Sequence, residues 1–425
     1  MTTALIADLE WRDLISQTTD REALLKDLNA GPVSFYLGFD PTAPSIHVGN
    51  LVVLLVMRRF QLAGHKPIPL VGGATGLIGD PSGRNEERSL NSTDIVSEWV
   101  SRIRGQLEKF LDFTSPANAA VLANNLDWTS PLSALEFLRD VGKHFSVNQM
   151  LAKDSVSSRL ESGGISYTEF SYQVLQGFDY LELFRRHNCI LQLGGSDQWG
   201  NIIAGLDLIR KVEGGNAHAL TIPLMTKSDG SKFGKTATGT VWLDPEMTSP
   251  YAFYQFWLNS DDRDVPKYLK VFSFKSHEEI SRLIETVETN PGAREAHREL
   301  AREVTTLVHG ADECARVEAA AKALFGQGEL SELDEATLAS ALSQLPQTTL
   351  QAGEPIPAWI DLLVATGVVD SKSAARRIVK EGGGYLNNVK ISGDDFTPSE
   401  SDFLHGRFIV LRKGKRDLAA VERVI

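Results

Sequence analysis

Residues 33–84, VSFYLGFDPTAPSIHVGNLVVLLVMRRFQLAGHKPIPLVGGATGLIGDPSGR, decide the fold. VSFYLGFD is β-branched and aromatic and lies between Gly31-Pro32 and Asp40-Pro41, which predicts a buried strand. A Pro/Thr/Ser loop, PTAPS, follows. A helix is predicted from His47 or Leu51 onward. Leu51, Leu54, Leu55 and Arg58/Arg59 share one face, and Gly64 is a good stop. KPIPLVGG reads as a second strand that runs into the glycine-rich turn GGATGLIGDPSGR. Strand, loop, helix, strand and glycine turn make a βαβ unit, whose site belongs at the carboxyl ends of the strands.

The pattern returns downstream. TEFSYQVLQGFDYLELFRRH (168–187) predicts an amphipathic helix, CILQLGG a strand and SDQWGNIIAGLDLIRK another helix, so the same sheet continues. Helical patterns fill much of 97–150, in SEWVSRIRGQLEKFL and SALEFLRDVGKHF. Residues 226–240 form a polar, Gly/Lys-rich loop that is expected to be mobile. The expected divisions are 1–247, an α/β domain on a doubly wound parallel sheet, and 248–326, helical. A polar linker, 327–354, then leads to a small α+β unit, 355–425, with two helices and the strands YLNNVKI and RFIVLRKGK.

Composition narrows the function classes. Of 425 residues, 42% are apolar and 23% charged, as in ordinary globular proteins. No apolar run reaches the ~18 residues of a membrane span. The start carries acids and no basic stretch, so it does not read as a signal peptide. Cys189 and Cys314 are the only cysteines; they suit a reducing cytosol, not a disulfide scaffold or thiolate zinc site. No histidine pair has metal-ligand spacing. The net charge of −12 argues against a polyanion partner. Residues 355–425 are the exception, with a small basic excess on an otherwise acidic chain.

Two short motifs carry chemistry. In PTAPSIHVGN (41–50), His47 falls at a helix N-terminus, where backbone N–H groups and the dipole suit a phosphate. Gly49 lets a flat ring lie against the backbone. Alone, this motif also reads as a polar helix cap. In KSDGSKFGKT (227–236), Lys232 and Lys235 stand three apart on a glycine-rich loop. Their ammonium groups suit a charge that develops during reaction, such as a leaving pyrophosphate. Alone, this one reads as a solvated basic loop. Tyr172, Gln176 and Asp179 share one face of the predicted helix.

Together the two motifs resemble the HIGH and KMSKS signatures of class I aminoacyl-tRNA synthetases. FYLGFDPTAPSIHVGNL, LVGGATGLIGDPSGR, YTEFSYQVLQGFDYL, LQLGGSDQWGNI and KFGKT, in that order, resemble the blocks of the bacterial-type tyrosyl-tRNA synthetase family. The resemblance covers residues 30–260 and continues toward the C-terminus. It implies a Rossmann-like catalytic domain, a helical anticodon-side domain and a C-terminal RNA-binding domain. It also implies a ligase that activates L-tyrosine with ATP, accompanied by Mg²⁺, and charges tRNA(Tyr). A cytoplasmic homodimer is implied, with 125–165 supplying the interface and no membrane involved.

Motif matching assigns roles by the same resemblance. Tyr36 and Asp179 would bond the phenolic hydroxyl of tyrosine; Asp80, Tyr172 and Gln176 would hold its ammonium, and Gln198 would contact the reacting tyrosine. A buried carboxylate such as Asp179 needs a donor, which tyrosine supplies and phenylalanine does not. Gly38, Asp40, Gly49, Asn50 and Asp197 would line the ATP side. Thr42 and His47 would meet the phosphates, and Lys232, Lys235 and Thr236 the leaving pyrophosphate. Arg84 and Arg88 stand where the family places basic residues for phosphate or tRNA. Asn50 departs from the second histidine of HIGH but still donates and accepts hydrogen bonds. In the tail, SKSAARRIVKEGGGYLNNVKI resembles the alpha-L RNA-binding motif, with Lys372, Arg376, Arg377 and Lys380 toward tRNA. Three other readings compete: a tryptophanyl-tRNA synthetase, a nucleotidylyltransferase without tRNA, and an inactive RNA-binding scaffold.

Overall fold

A computed structural model describes residues 2–82, 91–236, 239–414 and 417–424. Contacts divide the chain into two units: Met1–Asp244 with Asp261–Gly292, and Pro245–Ser260 with Ala293–Ile425.

The first unit is built on a six-stranded sheet. Its strands are β1 (Gln17–Thr18), β2 (Ser34–Phe39), β3 (Lys66–Val71), β4 (Ala123–Asn124), β5 (Cys189–Gly195) and β6 (His218–Ile222). The order is β1-β6-β5-β2-β3-β4, with only β1 antiparallel to its neighbour. The chain leaves β2 toward β3 on one side, and β5 pairs on the other. The switch point therefore lies between β2 and β5, where a doubly wound sheet opens a crevice beyond its strand ends. Along β2 every residue from Phe35 to Phe39 is buried except Gly38, which opens toward solvent. The helix Val48–Leu62 buries Leu51, Leu54 and Leu55, as its spacing predicts, and the turn after it uses Gly64 at φ +99. The helix Tyr167–His187 is continuous, capped by Ser166 at its start and by Asn188 in the left-handed region at its end.

Several expectations change. SALEFLRDVGKHF is not one helix: Ala134–Glu136 is α-helical, Phe137–Val141 is a π-turn and Gly142–His144 a 3₁₀ turn. Residues 226–240 are not a featureless loop. Thr226 bridges Lys232, and β7 (Lys235–Thr236) pairs with β8 (Gly239–Thr240). The expected helical domain 248–326 is split, because Val265–Phe272 and His277–Thr289 pack with the first unit. Arg12 and Arg59 explain this. Both are buried, and both donate to the Ser273 carbonyl at the end of Val265–Phe272, at 2.8 and 2.6 Å. Charge-assisted bonds onto these C-terminal carbonyls fix the helix in the catalytic unit.

In the second unit, the helices Pro250–Leu258, Glu295–His309 and Ala311–Leu324 pack together, joined by Glu335–Leu342. A five-stranded sheet contains β9 (Gln347–Gln351), β10 (Gly384–Leu386), β11 (Val389–Lys390), β12 (Phe408–Lys413) and β13 (Asp417–Val424). Its order is β11-β10-β12-β13-β9, and β9 runs parallel to β13. Residues 327–354 are therefore not a linker. They supply a helix that buries Leu338 and Leu342, and then an edge strand of the C-terminal sheet. Among the described residues, no helix is long and apolar enough to cross a membrane.

Candidate active site

The crevice between β2 and β5 gathers most of the residues that the motifs select. Tyr36 lies mid-β2, packed edge-on against Tyr180 at 5.1 Å. Its hydroxyl is buried and makes no close hydrogen bond, with Gln192 of β5 beside it. Burial first, then the nearby Asp179 charge, pushes the Tyr36 hydroxyl's pKa well up. Asp179 faces it from the helix Tyr167–His187 and is itself buried. Asn125 Nδ2 donates to one of its carboxylate oxygens at 2.9 Å and Trp128 Nε1 to the other at 2.8 Å. Burial raises the Asp179 pKa to about 7, even though both donors favour its ionised form.

Two turns above Asp179 on the same helix, the Tyr172 hydroxyl donates to Asp40 Oδ2 at 2.6 Å. Tyr172 is thus tied to a residue assigned to the ATP side, and it keeps Asp80 within electrostatic reach. Between them, Gln176 has a buried carbonyl oxygen without a partner among the described residues. Asp80 follows the turn at Gly79; one oxygen accepts from the Ser82 N–H at 2.9 Å and the other from Gln198 Nε2 at 2.7 Å. Asp197 and Gln198 form the 3₁₀ turn directly after β5. Burial pushes the Asp197 carboxyl up. Gly195 leaves room for the Asp197 carboxylate, since a Cβ there would stand 2.5 Å from its Oδ1. Leu224 is 57% exposed beside this turn.

The two signature segments are joined through the main chain. Val48 N–H donates to the Val241 carbonyl at 3.0 Å and Leu243 N–H to that of Ile46 at 2.9 Å. Val241 N–H in turn donates to Gly234 of the lysine loop at 3.0 Å. His47 caps its helix, its Nδ1 accepting from the Asn50 N–H at 3.3 Å. An Nδ1 that accepts leaves the ring proton on Nε2. Burial, and then the Lys235 charge, lowers the His47 pKa to about 4, so the ring is neutral at pH 7. That coupling places Lys235 beside His47. Gly49 makes room for the imidazole, since a Cβ would approach it to 2.8 Å. Thr42 lies in the loop between β2 and this helix.

In KFGKT the charged side chains and the aromatic one point opposite ways. Lys232, Lys235 and Thr236 are exposed. Phe233 is buried against Tyr268 at 5.1 Å and Phe272 at 5.5 Å. Lys235 Nζ donates to Thr240 across the small ribbon.

A family model for class I tRNA synthetases (W and Y) matches residues 28–326. The chain belongs to that family. A second model, for the SYY-like C-terminal domain of tyrosine–tRNA ligase, matches residues 337–421. The tyrosine–tRNA ligase of Streptomyces avermitilis is 62% identical over 99% of each chain. That of Mycobacterium tuberculosis is 55% identical over the full length of both. The crystal structure of a C-terminally truncated mitochondrial tyrosyl-tRNA synthetase from Aspergillus nidulans matches with a TM-score of 0.69 at 32% identity. It covers 76% of this chain and 94% of its own.

Not every motif residue of this synthetase joins the crevice. Arg84 and Arg88 lie outside the described residues. Lys372, Arg376, Arg377 and Lys380 share the helix Lys372–Lys380 of the second unit. Lys372 pairs with Asp361 at 2.7 Å and Arg376 approaches Asp394 at 3.6 Å. Arg377 and Lys380 are exposed and make no ion pair among the described residues. Sequence reasoning missed Thr75, Asn125 and Trp128. The run ANNLDW after an apolar strand is the signal that was available, since paired asparagines at a strand end mark a turn with side-chain bonds to make.

Proposed function

We infer that this chain is a tyrosine–tRNA ligase. It activates L-tyrosine with ATP to tyrosyl-adenylate and pyrophosphate, then transfers tyrosine to the terminal adenosine of tRNA(Tyr). One observation carries the reading: a buried Tyr36 hydroxyl that makes no close hydrogen bond stands near a buried, doubly held Asp179 inside the switch-point crevice. A phenolic hydroxyl there accepts from Tyr36 and donates to Asp179. Phenylalanine supplies neither bond, leaving the buried Tyr36 hydroxyl unsatisfied and the Asp179 carboxylate with the two donors it already has, which is costly in a buried site.

Asp80, Tyr172 and Gln176 would take the ammonium group, and Gln198, anchored on Asp80, the reacting end of tyrosine. Gly38, Asp40, Gly49, Asn50 and Asp197 would receive ATP, with Leu224 offering an apolar contact near the ribose. The tyrosine carboxylate attacks the α-phosphorus. A P–O bond forms as the bridging P–O bond to the β-phosphate breaks, and pyrophosphate leaves with that electron pair. His47 Nε2–H and Thr42 would donate to phosphate oxygens, while Lys232, Lys235 and Thr236 would neutralise the leaving group. Positioning and charge stabilisation do the work, with no covalent enzyme intermediate. In the second step a ribose hydroxyl of tRNA attacks the carbonyl and AMP departs.

Among the described residues, no cluster of three or more His, Cys, Asp or Glu could hold a metal. Mg²⁺ is assigned to the ATP phosphates, as part of the substrate. The C-terminal helix, through Arg377 and Lys380, would follow the tRNA backbone. A homodimer is assigned to the segment 125–165, where Leu135 and Leu138 are 81% and 53% exposed and Val147 is 58% exposed. A cytoplasmic setting fits the buried free cysteines.

Amino-acid-dependent ATP–pyrophosphate exchange across the twenty amino acids tests the function. Exchange with tyrosine alone is expected. Exchange with tryptophan would move the chain to the other branch of its family, and no exchange from folded protein would overturn the enzyme reading.

A further inference from the structure

One chain of hydrogen bonds, buried at its Asp179 end and half-buried at Asp40, runs from the phenol end of the proposed tyrosine pocket to the ATP side. Trp128 donates to Asp179, and Asn125 donates to the other Asp179 oxygen. The same Asn125 amide donates its second hydrogen to Thr75 Oγ1 at 3.0 Å. Thr75 Oγ1 passes its own hydrogen to Asp40 Oδ1 at 2.7 Å. Asp40 Oδ2 accepts from Tyr172. Asn125 is fixed in this orientation, because its carbonyl oxygen accepts from the Ala74 N–H at 2.7 Å. Asn125 is fully buried and Thr75 nearly so.

The local sequence is shaped for this. Gly72 is the residue whose missing side chain lets the bond form: a Cβ there would lie 2.2 Å from both Asp40 Oδ1 and Thr75 Oγ1. A hydroxyl is required at position 75 as well. It must accept from an amide and donate to a carboxylate, and no apolar group of the same shape does either.

We propose that Thr75 is a positioning residue that couples the two substrate half-sites, orienting Asp40 toward ATP through its bond to the Asn125–Asp179 pair that recognises tyrosine. The proposal rests on the reading of this chain as a tyrosine–tRNA ligase. Thr75 touches neither substrate. It holds Asp40 and Asn125, so the orientation of one carboxylate depends on the other. Removing its hydroxyl strands a buried donor on Asn125 and takes one of its donors from the half-buried Asp40.

The test compares wild type with Thr75→Val, Thr75→Ala and Thr75→Ser. It reads ATP KM and kcat in pyrophosphate exchange at saturating tyrosine, and tyrosine Kd by equilibrium dialysis without ATP. Thr75→Val and Thr75→Ala are expected to lose about tenfold in kcat/KM for ATP and severalfold in tyrosine affinity, with Thr75→Ser within about twofold of wild type. Thermal melting checks that each variant folds, and either hydroxyl-free variant suffices if the other does not. Wild-type kinetics in both would overturn the proposal. So would a serine variant as poor as valine, which would mean a packing role, or a loss confined to tyrosine Kd. Absence of exchange in the wild type would overturn the functional reading, and this one with it. Normal wild-type exchange with an indifferent Thr75→Val would overturn this one alone.

Discussion

The tyrosine pocket and the lysine loop belong to the same unit and are built on opposite plans. In the proposed pocket the two carboxylates are buried and held from behind: Asp179 by Asn125 and Trp128, Asp80 by Ser82 and Gln198. In the loop the polar groups are exposed, and what is buried is Phe233. Main-chain bonds join the loop to the His47 segment, while the ammonium groups stay outside. The difference suits the two tasks proposed for these segments. Recognition must discriminate in the ground state, so its groups are fixed in advance. Leaving-group stabilisation acts on charge that exists only as the reaction proceeds, so solvated cations on an anchored loop suffice.

The contrast is open to attack from either side. Lys235→Ala is expected to slow adenylate formation by about 10²–10³ while tyrosine Kd stays unchanged; pre-steady-state kinetics with equilibrium binding check it. Equal losses in both would erase the distinction. Asp179→Asn should instead cost about a hundredfold in tyrosine kcat/KM and loosen selection against phenylalanine, read by exchange with both amino acids. A chain ending at residue 344 loses the whole C-terminal sheet. It should keep exchange near the full-length level and lose at least about tenfold in tRNA charging at moderate salt. pH gives the finest resolution. Asp179 carries a pKa of about 7 and must be ionised to accept from the phenol, so tyrosine Kd should rise about tenfold per unit below pH 7 and level off above it. Asp179→Asn should abolish that slope. His47, with its pKa of about 4, should add no step between pH 6 and 8.

Much of this was legible in the sequence because local chemistry and tertiary role agree. VSFYLGFD is mostly apolar and aromatic and contains the interior strand β2; Leu51, Leu54 and Leu55 are spaced for the helix face they occupy. Where they disagree, reading fails. DLAAVERV carries two alanines and three charged residues, yet forms β13, because it is flanked by β12 and β9. Partner strands override weak propensity. QTTLQ looks like linker and becomes β9 for the same reason. The motif residues were placed by their resemblance to the family's blocks, and the structure brings most of them into one crevice. Thr75, Asn125 and Trp128 were not, since their role lies in holding other side chains across the fold. No one-dimensional pattern encodes a bond between positions 75 and 40.

The placement of β13 also sets an order in time. The catalytic sheet has its last strand once residue 222 has been made, so the crevice is able to assemble while the ribosome is still at work. The C-terminal sheet is different. Its strand β13, residues 417–424, lies inside the sheet between β12 and β9, so β9 waits for a partner made some seventy residues later. A nascent chain therefore completes its catalytic sheet before its C-terminal sheet has all its strands.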